Sequence, residues 1–412
     1  MNNTTRNRII QEIAGALDIP DSAYEKAEAR YKDLGEWFSR KEVRCYAFSP
    51  HIYTQGSFRL GTVVRPVDDD GEYDLDLGCR LRVGVTKNTY TQEQLKNLIG
   101  SDLEEYRIAR GIQKKRQEKS RCWRLEYADK LNFHLDIVPS IPETSERRRL
   151  LQEAIVRTGV PVELSSLVAN LVGAITDNRL RNYRIIDNNW LLSNSEGFAL
   201  WFESRMRLAK VLMESLAQQA KTARVDELPA YRWKSPLQRS VQLLKRHRDM
   251  LFSDDPDGKP ASIIITTLSA MGYKGESEIG DALETILNTM GTLITQTSHR
   301  VPNPVNPAED FTDKWSDPAN RHLNLEMKFR QWLHQAQIYF EAIGKERNPE
   351  LIVEMARNKL GASINAKDLS AKLGFGLTGG LLKPAAVPAG LSFPDKQLIP
   401  KKPAGFAFRF RV

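Results

Sequence analysis

The sequence contains few cysteines and lacks the features of secreted, zinc-binding and membrane-spanning proteins. Its three cysteines, Cys45, Cys79 and Cys122, are far apart, which argues against a disulfide framework and favours a reducing compartment. The six histidines show no zinc-type spacing with cysteine. The first residues, MNNTTRNRII, lack the apolar core of a signal peptide, and no apolar run approaches the length of a membrane span. We therefore expect a soluble cytoplasmic protein with no membrane partner.

Length and charge set the next expectations. The chain has 412 residues, more than one hydrophobic core usually serves, so two domains are expected. Apolar residues make up 41% of the chain, an ordinary share for a globular protein. The net charge of +8 favours polyanionic partners such as nucleotides or nucleic acid.

Apolar spacing predicts strands near the beginning of the chain and helices through most of the rest. Two helices are expected within residues 5–40, separated at Pro20. Strand patterns occur at 43–48, 73–83 and 122–138, and a helix that ends near Gly111 lies between the last two. Further helices are predicted at 147–157, 196–221, 236–252, 261–271, 279–296 and 320–345.

The end of the chain changes character. The last roughly forty residues are rich in Gly and Pro and predict a poorly ordered tail. The terminal GFAFRFRV nevertheless alternates apolar and polar residues in a strand pattern. We expect it either to dock on a partner or to pack back on its own domain.

The stretch EYDLDLG places two aspartates on one face of a strand. Because side chains alternate along a strand, Asp74 and Asp76 share one face, and the neighbouring Tyr and Leu side chains share the other. Two like charges on a half-buried face cost free energy unless something neutralises them. A divalent cation such as Mg²⁺, which takes oxygen ligands and shares them with phosphates, would do so. The alternative is a water-facing strand with two solvated aspartates.

Two neighbouring segments favour the metal-binding interpretation. Gly56 and Ser57 follow a strand-like run and are placed to open a helix, where backbone N–H groups and a hydroxyl bind phosphate oxygens; a simple turn is the alternative. In FHLDIVPS, Asp136 stands alone in an apolar strand, where an unpaired carboxylate is costly. Three carboxylates on adjacent strands beside a phosphate loop would form a two-metal site for phosphoryl or nucleotidyl transfer.

The order of these motifs resembles a known enzyme family. Gly-Ser, then Asp-x-Asp, then a later single Asp resembles the pattern of the polymerase-β-like nucleotidyltransferases. More narrowly, QGSFRLGTVVRP, EYDLDLG and HLDIVPS together resemble the bacterial relatives of cyclic GMP-AMP synthase, the CD-NTases of CBASS anti-phage defence. Similar segments also include WLLSNSEGFALWFESRM (190–206), LQRSVQLLKRHRD (237–249), PASIIITTL (260–268) and VPNPVNPAEDFTDKW (301–315). The resemblance spans roughly residues 10–345.

The resemblance implies an α+β fold with a polymerase-β-like nucleotidyltransferase domain built on a mixed sheet, a helical C-terminal domain and a long N-terminal helix. We accordingly expect N-terminal helices across both lobes at 1–40 and the catalytic core at 41–145. A helical domain with a nucleotide lid is expected at 146–345, and a C-terminal helix with a flexible Gly/Pro-rich tail at 346–412. The active site would lie in the cleft between the two larger domains.

The implied activity is synthesis of a cyclic oligonucleotide second messenger. The enzyme would join nucleoside triphosphates, ATP with GTP or another nucleotide, into a cyclic di- or trinucleotide and release pyrophosphate. Two Mg²⁺ ions, replaceable by Mn²⁺, are the implied cofactors. The product would activate an anti-phage effector, and a regulatory protein or an enzyme that conjugates the C-terminus is a conceivable partner. Nucleic acid is not required.

The resemblance also assigns catalytic residues. Asp74 and Asp76 would bind both metal ions. Asp136 would complete the metal site and help to deprotonate the ribose hydroxyl that attacks the α-phosphate.

Nucleotide contacts are assigned in the same way. They are Gln55, Gly56, Ser57, Phe58, Arg124, Lys245, Ser262 and Asp310. The family places a triphosphate-contacting lysine in the helix that holds Lys245, although a solvated helix face is the alternative. Ser262 would contact phosphate, cap a helix or do both. Arg124 would reach a nucleotide or lie on the surface. Asp310 would read a purine edge, as an acidic residue near this loop does in some relatives.

Three other functions use or imitate the same motifs. A template-independent polymerase acting on RNA 3′ ends shares the carboxylates, but it is expected to carry an RNA-binding module that is not recognisable here. An antibiotic nucleotidyltransferase shares the chemistry but is usually shorter. A catalytically dead binding module is disfavoured by the intact carboxylates. The basic clusters KKRQEKSR (114–121) and ERRR (146–149) contain few interleaved aromatics, so they indicate solvated surface rather than a nucleic-acid channel.

Overall fold

A computed structural model describes residues 3–67, 71–127, 133–206, 234–296 and 300–374. The strands are Pro50–Thr54 (β1), Tyr73–Leu81 (β2), Gln117–Glu118 (β3), Trp123–Tyr127 (β4), Phe133–Pro142 (β5), Gly173–Ile175 (β6), Leu191–Ser193 (β7), Pro302–Asn303 (β8) and Asn306–Asp310 (β9). The helices are Asn3–Ala16 (α1), Asp21–Phe38 (α2), Gly56–Leu60 (α3), Gln92–Ala109 (α4), Ser145–Arg157 (α5), Val162–Asn170 (α6), Ser195–Arg205 (α7), Pro236–Leu251 (α8), Ser262–Gly272 (α9), Ile279–Met290 (α10), Asp313–Ser316 (α11), Leu325–Lys345 (α12), Pro349–Leu360 (α13) and Ala366–Leu373 (α14). Short 3₁₀ helices span Arg44–Phe48, Pro256–Gly258 and Pro318–Leu323.

A mixed sheet forms the centre of the N-terminal half. Its strand order is β1-β2-β5-β4-β3, and β6 continues from β5 to β7. Strands β2 and β5 run parallel, whereas β1–β2, β4–β5 and β5–β6 pair antiparallel. This arrangement puts the two longest strands side by side at the centre, so residues in register on them face the same side of the sheet.

Capping interactions fix where two long helices begin. The Thr91 hydroxyl accepts a hydrogen bond from the Gln94 backbone N–H, and the Gln94 side-chain oxygen accepts one from the Thr91 backbone N–H, a capping box that starts α4. Ser235 and Gln238 form the same arrangement at the start of α8, where Pro236 occupies the first helical position. Gly111 follows the end of α4 with φ of +63°, as the sequence predicts for a helix terminator.

Two hydrophobic cores lie on either side of the N-terminal helices. One core packs the sheet against α2 and α4 and includes Tyr31, Leu75 and Leu135. The other joins helices from α5 to α14 with α1 and includes Ile13 and Trp332. Each apolar side chain buried in this way contributes about 1.5–3 kcal/mol before chain entropy is counted. The first helix therefore belongs to the helical lobe and the second helix to the sheet lobe.

The structure corrects several boundaries. The strand predicted at 43–48 is wrong, because Arg44–Phe48 is a 3₁₀ helix held by Asp102, which accepts from the Cys45 backbone N–H at 2.8 Å. The strand begins instead at Pro50. The sheet continues into β6 and β7, past the boundary expected at residue 145, because these strands have three residues each and are too short to give a pattern.

The C-terminal region contains more regular structure than the sequence indicates. Two helices, α13 and α14, follow residue 346, where one was expected. The Gly/Pro-rich tail and the terminal strand pattern lie outside the described residues, as does most of the second half of the helix predicted at 196–221. Among the helices that the structure describes, none combines the length and the apolar character needed to cross a membrane.

Candidate active site

The turn between β1 and α3 lies directly against Asp76. Gly56 begins α3 with φ of +65°, a conformation that side chains other than glycine rarely adopt. A Cβ atom at this position would lie 2.0 Å from Asp76 Oδ2, so glycine is also required for space. The backbone N–H of Gln55 donates to the Asp76 carbonyl at 2.9 Å and fixes the turn to β2. The turn that the sequence predicts as a phosphate loop therefore packs directly against the Asp76 carboxylate.

The three aspartates lie on neighbouring strands. Asp76 and Asp136 are directly opposite in the parallel pairing of β2 with β5, and Asp74 is opposite His134. The side chain of Asp74 is 64% exposed, whereas that of Asp136 is 18% exposed. The carboxylates therefore run from the open mouth of the site toward its floor.

The ionised form of Asp76 is disfavoured by its surroundings. Burial, together with the nearby charges of Asp74 and Asp136, raises the pKa of Asp76 to about 7. Lys245 and Arg124 oppose this shift but do not cancel it. A carboxylate whose ionisation is this costly is relieved by any cation that enters beside it.

Arg124 holds Asp136 from the adjacent strand. The two residues are directly paired in β4 and β5, and the guanidinium donates two hydrogen bonds of 2.7 Å, one to each carboxylate oxygen. It also lies 3.9 Å from Asp74. The hydrogen bond to Asp136 raises the pKa of Arg124 above its ordinary value, so the guanidinium stays protonated.

The donor set suits a hard divalent cation. Carboxylate oxygens are the ligands that Mg²⁺ prefers, and the charge of Asp76 needs a positive neighbour. In the described ranges, no three His, Cys, Asp or Glu side chains are gathered closely enough to enclose a metal ion. Both Asp136 oxygens accept hydrogen bonds from Arg124. Asp74 and Asp76 are therefore the carboxylates that could hold a metal ion, and Asp136 could join them by sharing an oxygen with Arg124.

Lys245 enters the site from the helical lobe. It lies on α8, is buried, and donates from Nζ to the Thr62 carbonyl at 3.0 Å. Burial, reinforced by the charge of Arg248, lowers the pKa of Lys245 to about 8, while Asp249 and Asp76 act in the opposite direction. The ammonium group is therefore within electrostatic reach of the Asp76 carboxylate.

Arg248 is a site residue that sequence reasoning missed. Its Nη1 atom donates to Ser262 Oγ at 2.8 Å and to the Pro260 carbonyl at 2.9 Å, which ties α8 to the start of α9. The spacing of three residues from Lys245 puts both cations on one face of the helix, a signal present in the sequence. Ser262 is the first residue of α9 rather than its cap, which is Ala261.

A cleft of about 770 Å³ lies between the two lobes, and its lining includes most of these groups but not Asp136 or Arg124. The sheet lobe contributes Gly56, Ser57, Tyr73, Asp74 and Asp76, and the helical lobe contributes Lys245, Arg248, Asp249, Lys259 and Ser262. The sheet side, with Asp74 and Asp76, is called the carboxylate wall, and the helical side, where Lys245, Arg248 and Lys259 outnumber Asp249, is called the cation wall. This separation of charge suits a ligand that brings metal ions and phosphates together.

Three predicted nucleotide contacts have other positions. Phe58 is fully buried and packs against Phe133 and Tyr24, so its side chain anchors α3 to the core instead of facing the cleft. The side-chain amide of Gln55 donates to the Leu77 carbonyl at 3.3 Å. Both residues therefore shape the turn from behind.

Asp310 does not line the cleft between the described parts of the two lobes. Its carboxylate accepts hydrogen bonds from the backbone N–H groups of Arg300, Val301 and Thr312 and from the Thr312 hydroxyl. Burial opposes its charge, but these hydrogen bonds keep the pKa of Asp310 below its ordinary value. The geometry gives Asp310 the role of holding the β8–β9 hairpin and does not support a contact with a purine.

The basic clusters are partly neutralised by the protein itself. Lys114 pairs with Glu126 at 2.9 Å, and Arg121 pairs with Asp177 at 2.9 Å. Arg116 stacks on the Trp123 ring with its guanidinium carbon 3.8 Å from the ring centre. These contacts agree with a solvated surface for residues 114–121.

Comparisons of the sequence with known proteins find cyclic dinucleotide synthases. A family model described as "Cyclic GMP-AMP synthase DncV-like, nucleotidyltransferase domain" matches residues 50–139. The chain is 28% identical over 312 residues to a c-di-GMP synthase of Roseivirga ehrenbergii, covering 75% of this chain and 72% of that protein. It is 23% identical over 407 residues to the cyclic dinucleotide synthase CdnG of Bradyrhizobium diazoefficiens, covering 92% of this chain and 88% of that protein.

The solved structures supply a similar fold. The structure of the Bradyrhizobium diazoefficiens CD-NTase CdnG in complex with GTP matches with a TM-score of 0.60 and 22% identity. The match covers 90% of this chain and 98% of that chain. The described residues thus share the fold of that enzyme, including the helical region that follows the sheet.

Proposed function

We propose that this enzyme is a cyclic dinucleotide synthase that joins two nucleoside triphosphates and releases two pyrophosphates, because residues 50–139 match the model of the DncV-like nucleotidyltransferase domain. The fold expected from the sequence is confirmed, and the match of residues 50–139 to the family model supports the expected family. The names of the two curated relatives support cyclic dinucleotides as products.

The observation that carries the proposal is the contact between the turn and the carboxylate. The Asp76 carboxylate lies so close to Gly56 that only the glycine hydrogen fits between them. A phosphate bound by the turn would therefore also lie beside the carboxylates. Nucleotidyl transfer requires this proximity, because charge develops on the phosphate oxygens that the metal and the loop must stabilise together.

The roles of the chain's own residues follow from their positions. Ser57 and the first N–H groups of α3 would bind phosphate oxygens from the sheet wall. Lys245, Arg248 and Ser262 would hold the triphosphate from the helical wall. The triphosphate would thus be clamped between the lobes, with its α-phosphate beside the aspartates.

The aspartates supply the rest of the chemistry. Asp74 and Asp76 would hold two Mg²⁺ ions, for which Mn²⁺ can substitute, and Asp136 would complete the set. When bound, these ions neutralise the phosphate charge and lower the pKa of the attacking hydroxyl. Asp136 would accept the proton of the ribose hydroxyl, while Arg124 orients that carboxylate through two hydrogen bonds.

GTP is the substrate that we propose to test first. One relative is named a c-di-GMP synthase, and the matching CdnG structure contains GTP. ATP, expected from the sequence, remains the second substrate to test. The larger role that we propose is in anti-phage defence, where the product would activate an effector protein and a regulatory partner would control the synthase.

The test is to identify the product. The purified full chain is incubated with radiolabelled GTP, ATP or both, in the presence of Mg²⁺ or Mn²⁺, and phosphatase-treated products are resolved by chromatography and mass spectrometry. A cyclic dinucleotide resists phosphatase because it has no terminal phosphate. Label transferred only to an added RNA 3′ end or an added aminoglycoside would instead establish one of the alternative activities.

A further inference from the structure

The segment that leaves the phosphate turn has no regular secondary structure. Residues 61–66, with the sequence GTVVRP, connect α3 to the described residues before the gap at 68–70. Backbone carbonyl groups in such a segment need hydrogen-bond donors from elsewhere when they are buried. Here the donors are side chains of α8, which belongs to the opposite lobe.

Four side chains of α8 form a row that donates to backbone carbonyls of the last residue of α3 and of the segment that follows it. Gln238 Nε2 donates to the Leu60 carbonyl at 2.9 Å, and Gln242 Nε2 donates to the Val63 carbonyl at 2.6 Å. Lys245 donates to the Thr62 carbonyl at 3.0 Å, and Arg246 donates to the Arg65 carbonyl. The spacing of four and three residues places the donors along one face of the helix.

Gln242 is the central member of this row. The side chain is fully buried, so a lost hydrogen bond would not be replaced by bulk water. Both groups near its amide nitrogen, the Val63 carbonyl and the Asp18 carboxylate at 3.5 Å, are acceptors, which fixes the orientation of the amide. Asp18 is itself held by Lys234 and Arg239, so Gln242 is positioned from both sides.

The row connects the two walls of the cleft. Its donors lie on the helix that carries Lys245 and Arg248, and its acceptors lie in the segment that follows Ser57. A change in the row would shift the phosphate turn and the carboxylates relative to the cations. Displacements of about 1 Å in reacting groups can cost roughly a hundredfold in rate.

We propose that Gln238 and Gln242 are positioning residues that set the distance between the carboxylate wall and the cation wall of the cleft. They act through the backbone of residues 60–63 and touch no reacting atom. The inference rests on the proposed function, because it assigns the distance to nucleotidyl transfer. Most of the triphosphate contacts lie on the helical wall, so the loss of this row should affect turnover more than nucleotide affinity.

The test compares two matched glutamines. Gln242→Met removes the amide but keeps the length and helix propensity of the side chain. Gln337→Met is the control, since Gln337 Nε2 also donates from a helix to a backbone carbonyl, that of Leu287 at 2.9 Å, within the helical lobe. We expect Gln242→Met to lower kcat by roughly tenfold or more with KM for GTP changed by less than about threefold, and Gln337→Met to leave both constants near wild type.

Hydrogen exchange of the full chain provides a readout that is independent of catalysis. Amides of residues 60–66 should exchange faster in Gln242→Met than in wild type and should be unchanged in Gln337→Met. If wild type forms no nucleotide product, the proposed function fails, and the exchange data still decide whether the row holds the segment. Equal kcat in the two variants, or unchanged exchange at 60–66, would overturn the inference. If Gln242→Met does not fold, Gln238→Met provides the same comparison.

Discussion

At the scale of single residues, Asp76 combines burial with two like-charged neighbours. Its pKa is raised from 3.8 to about 7 in the folded protein. Between these values the unfolded chain is ionised while the folded chain keeps its proton, so wild-type stability falls as pH rises through this window. The side chain introduced by Asp76→Asn does not ionise, so the stability of this variant does not fall in the same pH window.

The predicted result is a variant that is more stable at neutral pH and inactive. In metal-free buffer, Asp76→Asn should gain on the order of 1–3 kcal/mol over wild type at pH 7, and the gain should shrink toward pH 4. Chemical denaturation at several pH values measures it. The double variant Asp74→Asn with Asp76→Asn should likewise stay folded while synthesis is abolished. A variant that is less stable than wild type at every pH would mean that the carboxylates support the fold.

Asp310 gives a residue-scale prediction of the opposite kind. Its pKa is depressed by hydrogen bonds from the hairpin, so its stabilising effect is present above pH 3.8 and is lost as pH falls through the folded pKa. Asp310→Ala should lower stability at pH 7 by about 1–3 kcal/mol, because four donors lose their acceptor.

The measurement for Asp310 is thermal unfolding together with nucleotide titration. Affinity for a non-hydrolysable GTP analogue should remain at the wild-type value, because the carboxylate does not line the cleft. A loss of affinity with an unchanged unfolding temperature would restore the role in purine recognition that the sequence predicted.

At the scale of elements, the start of α3 depends on Gly56. Gly56→Ala adds a Cβ that would lie 2.0 Å from the Asp76 carboxylate and forces alanine to φ of +65°. We expect a loss of about 1–3 kcal/mol in stability, because backbone strain and the clash act together. Gly111→Ala is a suitable control, since Gly111 also has positive φ, +63°, but open space at its Cβ position.

The comparison separates conformational strain from contact with the carboxylate. Circular dichroism melts should show both variants destabilised, and only Gly56→Ala should lose nucleotide synthesis. Normal synthesis by a folded Gly56→Ala protein would show that the turn does not need to approach Asp76.

The two walls of the cleft should contribute unequally to nucleotide binding. Lys245→Ala removes a charged donor and should weaken the affinity for a non-hydrolysable GTP analogue by about tenfold or more. Ser57→Ala removes a neutral hydroxyl and should weaken it less. Isothermal titration measures both effects, and identical binding curves for both variants and wild type would remove these residues from the site.

The sequence predicts β2 and part of β5, because their patterns are local, but the single strand predicted at 122–138 is two antiparallel strands, β4 and β5. Alternation of aspartate with apolar residues places β2 and β5 and identifies the face that Asp74, Asp76 and Asp136 share. The 3₁₀ helix at Arg44–Phe48 could not be predicted, because its hydrogen bond comes from Asp102 on α4, far away in the sequence. The hydrogen bonds of Asp310 could not be predicted either, since its partners, Arg300, Val301 and Thr312, flank the two strands of the hairpin.

At the scale of the whole molecule, function depends on how the lobes are held together. Beyond the row from α8, a buried ion pair joins Arg59 on α3 to Glu203 on α7. The N-terminal helices add a further link, because α1 packs in the helical core and α2 in the sheet core. Such long-range contacts have no periodic signal, so the sequence predicts the two walls but not the contacts that align them.

The proposed function requires the protein to transfer a nucleotide from one triphosphate to another, and it makes Asp74 and Asp76 essential for this transfer. The most direct measurement is pyrophosphate release by the full chain from GTP and Mg²⁺ alone, with no RNA or drug acceptor, related to the cyclic product formed. We predict that wild type releases two pyrophosphates for each phosphatase-resistant product. The folded Asp74→Asn, Asp76→Asn variant should form neither product nor pyrophosphate. Pyrophosphate and product formed at equal rates by wild type and that variant would contradict this prediction.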